Sequence, residues 1–256
     1  MLKWFTDNQM KANADKCHLI LNCSDQQKIK INGEYIKSSD CEKLLGIKID
    51  KSLNFNKHVE GLCQKASQKM HALSRVTPYM SVSKKRMLMN AFFTSQFSYC
   101  PLVWMFHSRS LNSRINKLHE RCLRIIYSDK NSSFKELLDK DRSVSVHTKN
   151  LQTLAIEMFK VSNNIAPKIF SDIFSFRHEN DYNLRHTSEF NIRNVRTVYN
   201  GTETVSFLGP KIWDLVPQDI KQKKSLAGFK NAIKLWKPTN CPCRLCKKYI
   251  AGVGFI

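Results

Sequence analysis

Between residues 43 and 60 the hydrophobic period of this chain changes from two to about 3.6. Leu45, Ile47 and Ile49 alternate with Gly46, Lys48 and Asp50, which gives a strand one apolar face and one face open to solvent or a charged ligand. Gly46 has no Cβ, so at that point of the strand another backbone, of protein or nucleic acid, can approach closely. Residues 52–56 supply turn and cap residues, and from Phe55 onward apolar positions recur three and four apart. The expected fold class is therefore α+β: a small antiparallel sheet, then a mainly helical region, then a basic Cys-rich tail.

Upstream of the switch, Leu2, Trp4, Phe5 and Met10 line a short helix, and residues 17–21 form a compact strand candidate. Ile29 and Ile31 alternate with lysines ahead of Asn32-Gly33, the dipeptide preferred in tight hairpins, and Tyr35 and Ile36 begin the return strand. The strand at 43–50 is expected to join this sheet. So small a sheet has little covering, and its missing layer must come from the downstream helices or from residues preceding Met1.

Downstream, Val59, Leu62, Cys63, Ala66, Met70 and Leu73 mark the first long helix, which Pro78 closes. Ser83 is the expected cap of the next, with Met87, Leu88, Ala91 and Phe92 on its buried side. Lys84, Lys85 and Arg86 sit in its first turn and oppose the helix dipole, at about 0.3–1 kcal/mol per charge if no anion is bound. They point to a phosphate contact, with a simply solvated face as the alternative. An apolar bend at 99–104 leads to a helix over 111–127, where Ile115, Leu118, His119, Cys122, Leu123 and Ile126 form the buried stripe. Arg114, Lys117, Arg121 and Arg124 run along its other side, spaced to follow a nucleic-acid backbone, with an ordinary solvated face as the default reading for any one of them. Further helices are expected over 135–140 and 146–161. After Pro167 come Phe170, Ile173 and Phe174, a polar loop over 177–194, a short strand over 202–207, and a tight turn at 209–217 around a buried Trp213. Ser225 caps a last helix carrying Leu226, Phe229, Ile233 and Trp236. The expected divisions are residues 1–54, 55–166, 167–240 and 241–256.

The formal net charge of +21 repels itself unless counter-charge arrives. Nucleic acid is the commonest partner with that much of it, ahead of an anionic membrane surface or an acidic protein, and charge that only confers solubility is the alternative. Six of the nine cysteines are scattered between Cys17 and Cys122 and read as small core hydrophobes, which suits an intracellular, reducing location in nucleus or cytoplasm. No secretory leader is recognised at the start, and the most apolar stretch, 87–106, has too many polar interruptions to span a membrane. The other three cysteines, Cys241, Cys243 and Cys246, are spaced C-x-C-x₂-C beside Arg244, Lys247 and Lys248. Soft thiolates suit Zn²⁺, but a tetrahedral site needs four ligands, so the fourth must fold back from His178, His186 or elsewhere, or come from another chain. A reduced, exposed cysteine cluster is the alternative. His58 and His71 lie on a helix without paired carboxylates and read as packing or surface residues. No P-loop, dinucleotide fingerprint, HExxH or GxSxG motif occurs, and no aspartate pair is suited to hold two magnesium ions.

The succession Trp4, Asn8-Gln9-Met10, Asn13, Lys16-Cys17, then residues 44–50, Leu53-Asn54-Phe55 and His58-Val59, resembles the downstream half of jockey-like reverse transcriptases of non-LTR retrotransposons. Residues 99–104, 207–213 and 241–256 resemble the carboxyl region of the same elements, so the likeness covers essentially the whole chain. The resemblance implies that residues 1–54 are a palm remnant in which Lys16 matches the family's lysine. It further implies that Leu45, Gly46 and Ile47 belong to a primer-grip hairpin and that residues 55–166 form the thumb. The family's metal-binding aspartates would fall before Met1, so an enzyme is expected only if an upstream polymerase half is present, with Mg²⁺ as its cofactor. Alone, the chain is expected to be a truncated reverse transcriptase with residual affinity for RNA, DNA or an RNA/DNA hybrid. A domesticated protein-interaction module is the other reading.

Overall fold

In the computed structural model the described residues are 2–21, 29–31, 33–177, 188–197, 201–246, 249–250 and 254–255. They divide into two compact units, residues 1–61 and 62–256. The architecture is mixed α+β, with small antiparallel ladders followed by a mainly helical region and a carboxyl-terminal Cys/His cluster.

In the first unit, α1 (Leu2–Asp7) precedes two separate antiparallel hairpins, β1 (Ile29–Ile31) with β2 (Glu34–Ile36), and β3 (Cys41–Leu44) with β4 (Ile47–Asp50). The expected strand at 17–21 is reduced to one parallel bridge, Leu19 to Ser38. The expected single strand over 43–50 is two strands joined by a turn at Leu45-Gly46. Both turn residues have positive φ, 47° and 90°, as a type I′ hairpin turn requires. Alternation had placed these two residues inside the strand because it cannot register a reversal of chain direction. Leu45 is consequently 82% exposed at the hairpin tip, while Ile47 is buried.

Asp50 lies on the expected solvent face of that strand yet is buried, because it organises the passage into the next helix. Its carboxylate accepts from the Ser52 hydroxyl (2.7 Å) and from the amides of Ser52 (3.1 Å), Asn54 (3.3 Å) and Phe55 (2.9 Å). Burial raises the carboxyl's proton affinity, but these four bonds outweigh it and hold the group below its ordinary pKa. They are the physical origin of the change in period. α2 (Asn56–Val76) follows, and the cut between the two units falls within it. Near its start the buried His58 accepts the Lys48 amide at Nδ1 (3.3 Å).

In the second unit α2 continues with Cys63, Ala66, Met70 and Leu73 buried, as the spacing required. α3 (Val82–Phe92) has Ser81 rather than Ser83 at its N-cap. It buries Met89 and the following Phe93, while Met87 and Phe92 are exposed. Its apolar residues nearly encircle the helix, so periodicity alone could not select the inward face. α4 (Pro101–Trp104) carries the expected joint, with Trp104 buried and its indole N–H donated to the Tyr99 carbonyl (2.9 Å). α5 (Arg109–Tyr127) buries Leu111, Ile115, His119, Cys122, Leu123 and Ile126. α6 (Phe134–Asp141) begins with a capping box between Ser133 and Glu136, and α7 (Val146–Ser162) is buried along most of its length.

The main core of this unit gathers α7, α9 (Val205–Leu215) and α11 (Leu226–Ile233) around Phe159, Trp213 and Phe229, with α8 (Ile169–Ile173) and α10 (Gln218–Lys221) beside them. Two short strands, β5 (Tyr249–Ile250) and β6 (Gly254–Phe255), pair near the end of the chain. The expected strand over 202–207 and turn over 209–217 are replaced by α9. Leu208, Ile212 and Trp213 share one buried helical face there, and packing prevails over the Gly-Pro break signal. Pro210 lies inside this helix. Gly209 permits the close approach of α9 to α7, since a Cβ there would lie 2.8 Å from Met158 Sδ and 3.0 Å from the Phe174 ring. Gly209→Val is therefore expected to lower the unfolding free energy by about 1–3 kcal/mol, read as an earlier urea midpoint at unchanged slope.

The polar stretch at 177–194 is anchored at its far end. Glu189 accepts the Trp213 indole N–H (2.6 Å) and the Ser162 hydroxyl, and Phe190 is buried opposite Phe176. Residues 178–187, including Arg185 and His186, lie outside the described residues. No helix among the described residues is long and apolar enough to cross a membrane.

Candidate metal centre

The tail returns to the first turn of α7. Ser145 caps that helix by accepting the Thr148 amide (3.1 Å), which fixes the turn carrying His147. His147 Nε2 lies 3.3 Å from the sulfur of Cys243 and 3.3 Å from that of Cys246. With Cys241 added, the four donor atoms all fall within 4.8 Å of one another, and all but Cys246 are buried. A tetrahedral zinc with three sulfurs at about 2.3 Å and one nitrogen at about 2.0 Å separates its ligand atoms by about 3.5–3.8 Å. The chemistry and spacing of this S₃N set therefore fit Zn²⁺.

His147 is the ligand that sequence reading missed. The two histidines considered for the role, His178 and His186, lie outside the described residues. A signal was present nonetheless: His147 stands on the stripe continued by Leu151, Leu154 and Met158, so an imidazole faces the core with no carboxylate beside it.

Electrostatics in the cluster favour metal binding. Burial lowers the proton affinity of His147, but hydrogen bonds and negative charge from Cys243 and Cys246 outweigh it and raise its pKa to about 9. Cys243 is held well below the ordinary thiol range, first by hydrogen bonds from Cys241 and Cys246 and further by His147, while Cys241 is pushed upward by its hydrogen bonds with Cys243 and Cys246. Metal binding needs the thiols deprotonated and the imidazole neutral, so a divalent cation would displace the protons these neighbours share.

The backbone of the motif is held as firmly as its ligands. Arg109, in the first turn of α5, donates through Nε (2.9 Å) and a terminal nitrogen (2.6 Å) to the Arg244 carbonyl. The Arg244 guanidinium reaches Glu203 at 3.4 Å, and the Cys246 amide closes a turn on the Cys243 carbonyl (3.1 Å). Among the described residues this is the only group of three or more potential metal-ligating side chains. Lys247 and Lys248 lie outside the described residues.

The basic residues singled out by sequence fall into two sets. Arg114, Lys117 and Arg121 are exposed along one side of α5, opposite its buried stripe. Arg124 instead pairs with Glu120 (2.6 Å), which the count of one acid among four bases had left as partial relief. At α3, Lys84 is exposed and Lys85 half-buried, whereas Arg86 donates to Asp141 (2.9 Å) and to the Tyr127 hydroxyl, so its charge is met within the protein. Lys16 is exposed at the end of a short 3₁₀ turn, Ala14–Lys16. Lys43 and Lys48 stand directly opposite each other across β3 and β4. No family model, no curated protein and no solved structure matches the chain.

Proposed function

We infer that this chain is the carboxyl-terminal part of a reverse transcriptase of the non-LTR retrotransposon type, and that it grips a nucleic-acid backbone rather than carrying the polymerising metals. The observation that carries the reading is the division of α5. One side is buried in the core, and the other exposes Arg114, Lys117 and Arg121 at successive turns in a chain of net charge +21. Three cations so arranged repel one another and gain most from a polyanion lying along the helix.

Two further features support it. Like charges directly opposite across a hairpin are destabilising, so the Lys43–Lys48 pair also favours an anionic partner near Leu45, Gly46 and Ile47, where the family resemblance puts a primer grip. Lys84 and Lys85 in the first turn of α3 add a second anion-favouring spot. In this reading the metal centre is structural, for His147, Cys241, Cys243 and Cys246 would supply four protein ligands to a bound Zn²⁺, the number that closed structural sites use.

Fluorescence anisotropy against primed RNA, duplex DNA and an RNA/DNA hybrid tests the proposal. Affinity should fall steeply as salt rises, with log K linear in log salt. Absence of binding at low salt would refute it. Adding a palm-bearing partner with Mg²⁺ and a primed template asks separately whether an enzyme is rebuilt.

A further inference from the structure

A histidine that ligates a metal through one ring nitrogen donates the proton of the other to an acceptor, which fixes the tautomer and the plane of the ring. In His147 the nitrogen facing the Cys243 and Cys246 sulfurs is Nε2, so with a metal there the ring's one proton stands on Nδ1. That Nδ1 is buried and has no hydrogen-bond partner among the described residues. A donor left unmet in a buried site is costly, and the ligand's orientation is then held by packing alone.

His107 carries the complementary defect. It lies between α4 and Ser108, the N-cap of α5, and is only 2% exposed. Its Nδ1 stands 3.1 Å from the Trp104 carbonyl, which can only accept, so Nδ1 carries the proton. The Nε2 of the neutral ring is then an acceptor, and it too is buried without a partner among the described residues. The two histidines line one recess of about 10 Å³, and Glu203 shares its wall. A space of that size is about the least that admits a single water, and it needs two or more polar neighbours, which these three side chains provide.

We propose that His107 positions His147 as a zinc ligand through one buried water. The water accepts from His147 Nδ1–H and donates to His107 Nε2, and His107 Nδ1–H anchors the chain of hydrogen bonds on the Trp104 carbonyl. The Glu203 carboxylate can take the water's second hydrogen. His107 is thus a positioning residue that touches no metal. It ties the centre to the turn before α5 at a point separate from the Arg109 clamp. The inference rests on the zinc reading of the centre and is independent of the polymerase reading.

Zinc affinity of the full chain, read by competition with a chromophoric chelator, is the test. His107→Phe should weaken zinc about ten- to hundredfold, whereas His107→Gln, which keeps an acceptor near the position of Nε2, should stay within about threefold of the parent. The thermal midpoint of each metal-free variant reports lost packing separately, and it should not follow the order of the zinc affinities. The zinc-loaded parent offers a test that needs no variant: long-range proton–nitrogen NMR should find both His147 and His107 protonated at Nδ1, with no proton on His107 Nε2. Zinc affinity unmoved by His107→Phe, equal weakening in His107→Gln, or a proton on His107 Nε2 would overturn the proposal. Asn112 also adjoins His107, and were its side chain to meet Nε2 instead, the first of those results would follow. A parent chain that binds no zinc would refute the centre and the relay together, whereas zinc binding indifferent to His107 would refute the relay alone.

Discussion

Stripping the metal from this protein is expected to lower its thermal midpoint by about 8–16 °C. The estimate follows from mass action: a ligand at about 1,000 times its dissociation constant stabilises the state that binds it by about 4.1 kcal/mol. In a chain of this size each kcal/mol shifts the midpoint by about 2–4 °C. The centre joins the 241–246 turn to α7 through His147, and the Arg109 clamp on the Arg244 carbonyl ties that turn to α5 as well. Without the cation, Cys241, Cys243 and His147 stay buried with one another and the exposed Cys246 as polar neighbours, and the thiolates lose the divalent charge that would hold them together. Cys243→Ser should reproduce the chelator's effect and make the midpoint indifferent to added zinc. Cys100→Ser, at an exposed cysteine outside the cluster, should do neither. Cobalt substitution should give the absorption of a tetrahedral thiolate site. Protein purified under reducing conditions that neither retains a metal nor responds to a chelator would remove the centre from the account.

The sequence disclosed the parts of this fold that depend on local pattern and withheld those that depend on long-range fit. The buried stripe of α5 and the run of α7 follow from a spacing of three and four, because a single face of each meets the core. The two-residue reversal at Leu45-Gly46 was hidden because leucine seldom occupies the left-handed region. Its alternation with Ile47 also imitates an unbroken strand. α9 was hidden for the opposite reason, since Gly209-Pro210 is a strong local break signal. Here the glycine is required by the closeness of Met158 and Phe174, which no local rule contains. The metal centre divides along the same line. Its three cysteines lie within six residues and were legible, whereas His147 stands far upstream and enters the site only through the packing of α7.

Replacing Arg114, Lys117 and Arg121 together by alanine is expected to weaken duplex DNA binding by about two to three orders of magnitude at about 0.1 M salt. On B-DNA each neutralised phosphate contributes about 0.9 to the slope of log K against log salt. Three lost contacts therefore reduce that slope by about 2.7 and remove about 2.7 decades of affinity at tenth-molar salt. The fold should withstand the change, because all three side chains are exposed and make no ion pair among the described residues, and alanine favours the helix. Arg124→Ala separates the two sets of cations. Its guanidinium already meets Glu120 and the Asp129 carbonyl (3.3 Å), so its loss should leave the salt slope nearly unchanged while removing a helix-terminal contact. Lys84→Ala combined with Lys85→Ala should give an intermediate loss if the first turn of α3 meets phosphate, and none if those lysines only face water. A triple variant that binds as tightly as the parent, with the same salt slope, would show that the polyanion lies elsewhere and that the exposed side of α5 is merely solvated.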